Sequence, residues 1–405
     1  MALIHWGRLS ITAGKVFTPA TPINEEQLFA GRKEQMRQII DVLNQKGQHA
    51  IIFGERGVGK TSLANVFGSN SGLLIVHKNC DSTDNFSTLW DKIFSEIQIA
   101  GGTKRIGFGE QTELTFIDIR GQFEDQDLFP DNVRKILRML SDQCLPVIVI
   151  DEFDRIGKTE VRAALADTIK ALSDNAIDAK IILVGVADSV DELIKEHQSI
   201  ERALVQIKMP RMSKEELIEI LDNGLNILKM TMEKEAKEHI ALLSQGLPHY
   251  AHLLGLHAAR KAIDDRKKNI NIEHVDSAIS KALQQAQQTI RSSYHRAIMS
   301  PRKDNIFAQV LLACALSHTD DMGYFAAADI RKPLSEIMRK EYEIPSFSRH
   351  LNDFCEPGRG QLLHKIGVKH RYRFRFTNPL MQPFVTMQGF DSGLIDRELI
   401  NKLKN

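Results

Sequence analysis

The chain has 405 residues, of which 42% are hydrophobic and 26% charged, with 53 Lys+Arg against 52 Asp+Glu. That length predicts roughly two or three domains, and a formal net charge of +1 excludes bulk electrostatic attraction to nucleic acid. No apolar run approaches the ~20 residues needed to cross a bilayer. The opening "MALIHWGRLSITAGK" lacks the apolar segment of a secretory signal. Cys80, Cys144, Cys314 and Cys355 form no C-x-x-C pair, which predicts reduced thiols in the cytoplasm and neither a disulfide frame nor a zinc site. Charge is nevertheless uneven, since residues 301–405 hold 16 Lys+Arg against 12 Asp+Glu.

Residues 1–30 read as an extended segment, because "VFTPATPIN" carries two prolines. Met36, Ile39, Ile40 and Leu43 then stripe a helix over 32–46, stopped by Gly47. "HAIIF" (49–53) predicts a buried strand, "GERGVGKT" (54–61) a loop with almost nothing to bury, and "SLANVF" the start of a helix. "LLIVH" (73–77) is a second strand, and Phe86, Leu89, Trp90, Ile93, Phe94 and Ile97 stripe the next helix. Residues 100–130 carry no firm pattern, and "GGTKRIGFG" (101–109) reads as a loop. Val133, Ile136, Leu137 and Leu140 mark a helix, "PVIVI" (146–150) a strand and 161–173 a helix. "KIILVGV" (180–186) and "ALVQIKM" (203–209) are the last strands of this region. Strands alternate with helices and most are uniformly apolar, which predicts an α/β domain over 31–210 with a parallel sheet covered on both faces. An all-helical domain follows over 211–298, and a third module over 299–405, entered through the polar "SPRKDN" (300–305).

The loop answers to the spacing G-x-x-x-x-G-K-[ST], set between a strand and a helix. Gly54, Glu55, Arg56, Gly57, Val58, Gly59, Lys60, Thr61 and Ser62 would wrap main-chain N–H groups around phosphate oxygens, with the positive end of the following helix behind them. Lys60 can reach the β- and γ-phosphates of ATP, and Thr61 can hold Mg²⁺. "PVIVIDEFD" supplies the acidic partner: Asp151 at a strand end for the metal, and Glu152 beside it to polarise a water. A plain glycine-rich turn and two solvated carboxylates are the bland alternatives.

These segments, with "LFAGRKEQ" (28–35), "ILVGVADS" (182–189), "SIERALVQIKMPRMSKEEL" (199–217) and "GLPHYAHLLG" (246–255), resemble the AAA+ ATPases, and within them the origin-recognition/initiator group. The resemblance implies a P-loop AAA+ domain, a helical lid and a C-terminal winged helix. It implies that Phe29 and Arg32 border an adenine pocket. Asp188 falls on a sensor position where the family usually has Asn, and an ionised Asp accepts but cannot donate. Arg202 falls on the arginine finger that a neighbouring copy in a homo-oligomer inserts in trans. His249 falls where a second sensor arginine is common; it is either a γ-phosphate contact or a histidine packed at a helix start. The two departures imply slow or regulated hydrolysis.

In the third module, helices over 304–316, 325–340 and 346–356 precede a strand ending at Ile366, a turn at Gly367 and the alternating "HRYRFRF". Three helices followed by a hairpin is the layout of a winged helix, the domain that usually ends the resembling group. In that arrangement the third helix would enter the major groove of duplex DNA through Arg349, and Lys365, Lys369, Arg371, Arg373 and Arg375 would meet phosphates. The alternatives are a solvated edge strand, or a module that docks a protein effector. Lys104 and Arg105 mark a second place where DNA contact or a mobile loop fits.

Overall fold

The opening residues form a helix, α1 (Ala2–Val16), and not the extended segment that the prolines suggest. Pro19 and Pro22 lie beyond its last turn, so they end the helix and do not prevent it. In this computed structural model the chain is described over residues 2–67, 73–105, 112–119, 127–186, 200–302, 304–320, 322–368 and 371–404. Those residues fall into two compact units. One comprises 32–54 and 60–209, and the other comprises 1–31, 55–59 and 210–405.

The first unit begins with α2 (Lys33–Asn44), β1 (His49–Gly54), α3 (Lys60–Phe67) and β2 (Leu73–Asn79). It continues through α4 (Phe86–Phe94), β3 (Gln98–Arg105), β4 (Thr112–Asp118), α5 (Pro130–Ser141) and β5 (Leu145–Asp151). It closes with α6 (Thr159–Asp174), β6 (Lys180–Gly185) and β7 (Leu204–Met209). Five strands make one parallel sheet in the order β2-β5-β6-β1-β7. The middle strands are buried along nearly their whole length, as continuous apolar runs require when helices cover both faces. Val133, Ile136, Leu137 and Leu140 of α5 and Leu165, Ile169 and Leu172 of α6 join Ile148, Ile150, Ile181 and Leu183 in one core. Two polar side chains are sealed inside the sheet: His49 accepts a hydrogen bond at Nδ1 from the Ile181 N–H, 3.0 Å away, and Lys180 donates to the Gln45 carbonyl. Burial first, and the Lys180 charge second, push the His49 imidazole down to about 3. The region around residue 100 is not a free loop, because β3 and β4 pair as an antiparallel ladder that carries Lys104 opposite Glu113 and Arg105 opposite Thr112.

The second unit holds α1 against α7 (Lys214–Leu228) and, after β8 (Thr231–Met232) and α8 (Lys234–Ser244), against α9 (Pro248–Asp264). It continues with β9 (Asn269–Ile270), α10 (Ile272–Gln285) and α11 (Gln288–Ile298). The C-terminal module is α12 (Phe307–Leu316), β10 (Phe325–Ala326), α13 (Ala327–Met338), α14 (Ile344–Asp353), β11 (Leu363–Ile366), β12 (Arg373–Phe376), α15 (Met381–Asp391) and α16 (Arg397–Lys404). Its three strands form an antiparallel sheet in the order β10-β12-β11. The alternation in "HRYRFRF" is real where it is described: Phe374 and Phe376 are buried against Phe325, and Arg373 and Arg375 face the other way. No helix among the described residues is long and apolar enough to cross a membrane.

The end of α1 is anchored by Phe17, which is 1% exposed. A Cβ at Gly224 would lie 2.5 Å from its ring, and one at Gly255 3.0 Å, so both glycines are small because the ring lies on them. Phe17→Ala is expected to lower unfolding free energy by about 3–5 kcal/mol, read by denaturant titration; a loss below about 1 kcal/mol would show that α1 is not part of this core.

Candidate active site

The site begins where β1 runs out. A Cβ on Gly54 would lie 2.3 Å from the Met209 carbonyl oxygen of β7, so the two strand ends close over a bare α-carbon. The next residues turn sharply: Gly57 (φ +87°) and Gly59 (φ +96°) take left-handed backbone that a side chain disfavours. Val58 between them is buried, while Arg56 is exposed. Lys60 opens α3 and donates from Nζ to the Gly54 carbonyl, 3.0 Å away, across the mouth of the loop. Ser62 follows on α3, half-buried.

Thr61 carries the contact that defines the site. Its hydroxyl donates to Asp151 Oδ2 at 2.7 Å, joining the start of α3 to the end of β5. Asp151 is 3% exposed, and burial alone would push its carboxyl up. Hydrogen bonds from His77 Nε2 (3.3 Å), from Thr61 and from the Glu152 N–H (2.7 Å) outweigh that and hold it below the usual carboxylate range. The ionised carboxylate and the hydroxyl are hard oxygen donors. This pair suits Mg²⁺, which takes one or two carboxylates and completes its shell with water and phosphate.

Glu152 lies one residue on, in a left-handed conformation (φ 52°, ψ 37°). Its carboxylate is bound to Arg155, 2.8 Å away, with both side chains about half exposed. Pairs of that kind contribute little, about 0–1 kcal/mol, so Glu152 exchanges partners readily. Strain at such a backbone position is tolerated where a side chain has to be aimed.

Sequence reasoning missed His77. It shares a face of β2 with Asn79, which is in register with Asp151, and only the β2–β5 pairing brings it to the carboxylate.

Arg32 is the buried residue before α2, left-handed at φ 58°. Phe29 is half-buried, and its carbonyl accepts from Asn223. His249 Nδ1 donates to the Pro19 carbonyl at 2.7 Å. Burial lowers its pKa against the smaller raising effect of that bond, so it is held as the neutral imidazole. Arg202 is exposed in the turn before β7. The register pairs His49 with Leu204 and Gly54 with Met209, so Arg202 stands at the opposite edge of the sheet from Lys60, on the order of 20 Å away at ~3.3 Å per residue. Asp188 and Lys369 lie outside the described residues.

In the C-terminal module Arg349 is 89% exposed, with Asp353 3.8 Å away, and Arg371 is exposed. Arg373 pairs with Asp320 at 2.9 Å and donates to the Tyr324 carbonyl, Arg375 lies over the Tyr324 ring, and Lys365 donates to Asn352. Two control positions test the loop. Gly54→Ala is expected to lower stability by about 1–3 kcal/mol, while Gly157→Ala, which meets nothing within 4 Å, should change it by less than about 0.5 kcal/mol. Equal thermal shifts for the two variants would contradict the close strand approach.

A family model described as an AAA domain matches residues 43–194. No curated protein matches the chain. Among solved structures it is similar to the Walker-type ATPase PABY2304 of Pyrococcus abyssi, at 16% identity and a TM-score of 0.51, over 91% of this chain and 99% of that one. It is also similar to the ORC2 protein of Aeropyrum pernix, solved as ADPNP–ADP complexes, at 15% identity and a TM-score of 0.48, over 96% and 97% of the two chains. The ORC1 protein of Aeropyrum pernix, solved in complex with DNA, gives 15% and 0.46, over 94% and 97%. The first likeness is one of fold. The family match begins ahead of the phosphate loop and ends past β6, and it spans the helix that carries Thr61 and the strand that carries Asp151. Residues 43–194 are therefore an AAA domain by family match, and Thr61 and Asp151 meet within it.

Proposed function

We propose that the protein binds ATP with Mg²⁺ on the loop 54–61, hydrolyses it slowly, and uses the nucleotide state to set duplex-DNA binding and self-assembly, in the manner of an initiator-type AAA+ regulator. The contact between Thr61 and Asp151 carries this reading, because a hydroxyl and an ionised carboxylate at 2.7 Å are the two protein ligands such a metal requires.

The N–H groups of the loop and the Lys60 ammonium would hold the β- and γ-phosphates. Thr61 and Asp151 would hold Mg²⁺, which supplies charge neutralisation on those phosphates. Glu152 would accept a proton from the attacking water as the β–γ bond breaks, which gives ADP and phosphate. Glu152 is engaged with Arg155, and it must leave that partner to serve as a base; this supports slow turnover by the isolated chain. The position of Arg202, across the sheet from its own Lys60, supports a finger delivered to a neighbouring copy.

The DNA reading rests on the exposed Arg349 of α14 and on Arg371, in a module whose first three helices and three-stranded sheet support a winged-helix reading. A second reading has support of its own. Arg373 and Lys365 are engaged within the module, which suits a module that docks a protein effector under nucleotide control.

ATP–Mg²⁺ uptake by calorimetry is expected for the wild type and lost in Lys60→Ala; uptake by neither, or equal uptake by both, would sink the ATP reading. Glu152→Gln is expected to bind ATP and lose about 10²–10⁴-fold of the phosphate-release rate. Anisotropy with duplex DNA at low salt, with and without ATP, should show binding that falls steeply with added salt and is lost in Arg349→Glu/Arg371→Glu. Absence of binding in both nucleotide states would leave the docking reading in its place.

A further inference from the structure

One residue of the phosphate loop is chemically out of place. Glu55 puts a carboxylate in a loop whose task is to receive phosphate oxygens. It is not solvated, since its side chain is 10% exposed and bound to Arg211, with Nε 2.6 Å from Oε2. Arg211, itself 18% exposed, also donates from NH1 to the Gln245 carbonyl at 3.0 Å and to Gln382 Oε1 at 2.7 Å. Gln382 is 2% exposed, and its Nε2 donates to the Ala315 carbonyl at 2.9 Å. The chain of bonds thus runs from the loop, through the residue that opens the helical region, into α15 and the end of α12.

The surroundings leave no slack. Gly246 (φ +77°) has no room for a Cβ, which would lie 2.6 Å from the Arg211 Cβ. A Cβ on Gly323 (φ +77°) would lie 2.0 Å from Glu55 Oε1. Leu380, just ahead of α15, reaches to within 3.5 Å of the Cβ position on Gly57, and its carbonyl accepts from the Tyr250 hydroxyl at 2.7 Å. Gln245 Nε2 also donates to Thr386 of α15, at 3.4 Å. The N-terminal turn of α15 is therefore seated against the same five-residue stretch, 55–59, that forms the tip of the loop.

We propose that Glu55, Arg211 and Gln382 form a latch between the phosphate loop and the C-terminal module, so that ATP on the loop tightens the seating of α15 and unseating α15 weakens ATP binding. This regulation rests on the ATP reading above. Its sign follows from charge. A bare carboxylate in the loop repels a triphosphate, Arg211 neutralises it, and Gln382 fixes Arg211 in place. An intact latch therefore favours the anion, and thermodynamic reciprocity makes the anion favour the latch by the same factor.

The test is a cycle of four full-length proteins titrated with ATP–Mg²⁺: wild type, Gln382→Ala, Glu55→Gln and the double variant. Gln382→Ala is expected to weaken ATP at least about fivefold. In the Glu55→Gln background, where no carboxylate needs neutralising, the same change should cost less than about twofold. Equal losses in both backgrounds would overturn the latch. Should Gln382→Ala fail to fold, hydrogen exchange on the wild type decides. ATP is expected to slow exchange of the α15 amides, and unchanged or faster exchange in protein that does take up ATP would overturn the latch alone. A wild type that takes up no ATP would instead remove the ATP reading, and the latch with it.

Discussion

The site depends on one hydrogen bond between two chain segments that are far apart in sequence. Thr61 follows β1 and Asp151 ends β5, with β6 lying between those strands in the sheet. A hydroxyl and a carboxylate 90 residues apart meet at 2.7 Å only because both strands run parallel and finish at the same edge. An antiparallel arrangement would send one of them to the other end of the sheet. The crossover helices and the dry sheet beneath them are therefore what hold the acid at the mouth of the loop. Burial of Asp151 then sharpens the contact. A carboxylate 3% exposed has to be satisfied by donors, and Thr61, His77 and the Glu152 N–H supply them.

Most of this sheet was legible in the sequence, for a physical reason. A strand buried on both faces reads as an unbroken apolar run, and β1, β5 and β6 do. The loop was legible because left-handed glycines and a lysine at fixed spacing leave few other uses for the residues. What could not be read was anything set by pairing between distant segments. His77 looks like a polar residue at a strand end until β2 is placed beside β5. Arg211 and Gln382 are a surface-like arginine and an amide, 171 residues apart, until the fold brings them within 2.7 Å. The helix α1 was hidden for a local reason, since Pro19 and Pro22 dominate the reading of a stretch whose helix ends before them. The short strand β10 and the β3–β4 ladder carry too few apolar alternations to be recognised from pattern alone.

The C-terminal module shows the same division at the level of single charges. Alternation in "HRYRFRF" correctly separated the buried phenylalanines from the arginines. It did not show which arginines are already occupied. Arg373 has Asp320 at 2.9 Å and Arg375 has the Tyr324 ring at 4.8 Å, so both stiffen the sheet of the module that carries them. A positive stripe in sequence is thus an upper bound on the charge available to a phosphate backbone. Under the proposed DNA reading, the exposed Arg349 and Arg371 would contribute more directly than the stripe as a whole.

The acidic residue in the phosphate loop brings these lines together. Near an incoming triphosphate, an unneutralised carboxylate would oppose the main-chain amides and the Lys60 ammonium that the loop presents. Tolerance of Glu55 at that position therefore requires a counter-charge at fixed range, and Arg211 at 2.6 Å is one. Arg211 is held in place partly by a C-terminal amide that also bonds the Ala315 carbonyl, so under the proposed latch the charge near Glu55 would depend on whether α15 is seated. A loop that borrows its neutrality from a distant module differs from one that is complete in itself. Under the proposed latch, the charge that the stretch 55–59 presents would follow the seating of α15 within the same unit, and a ligand of the C-terminal module would act there.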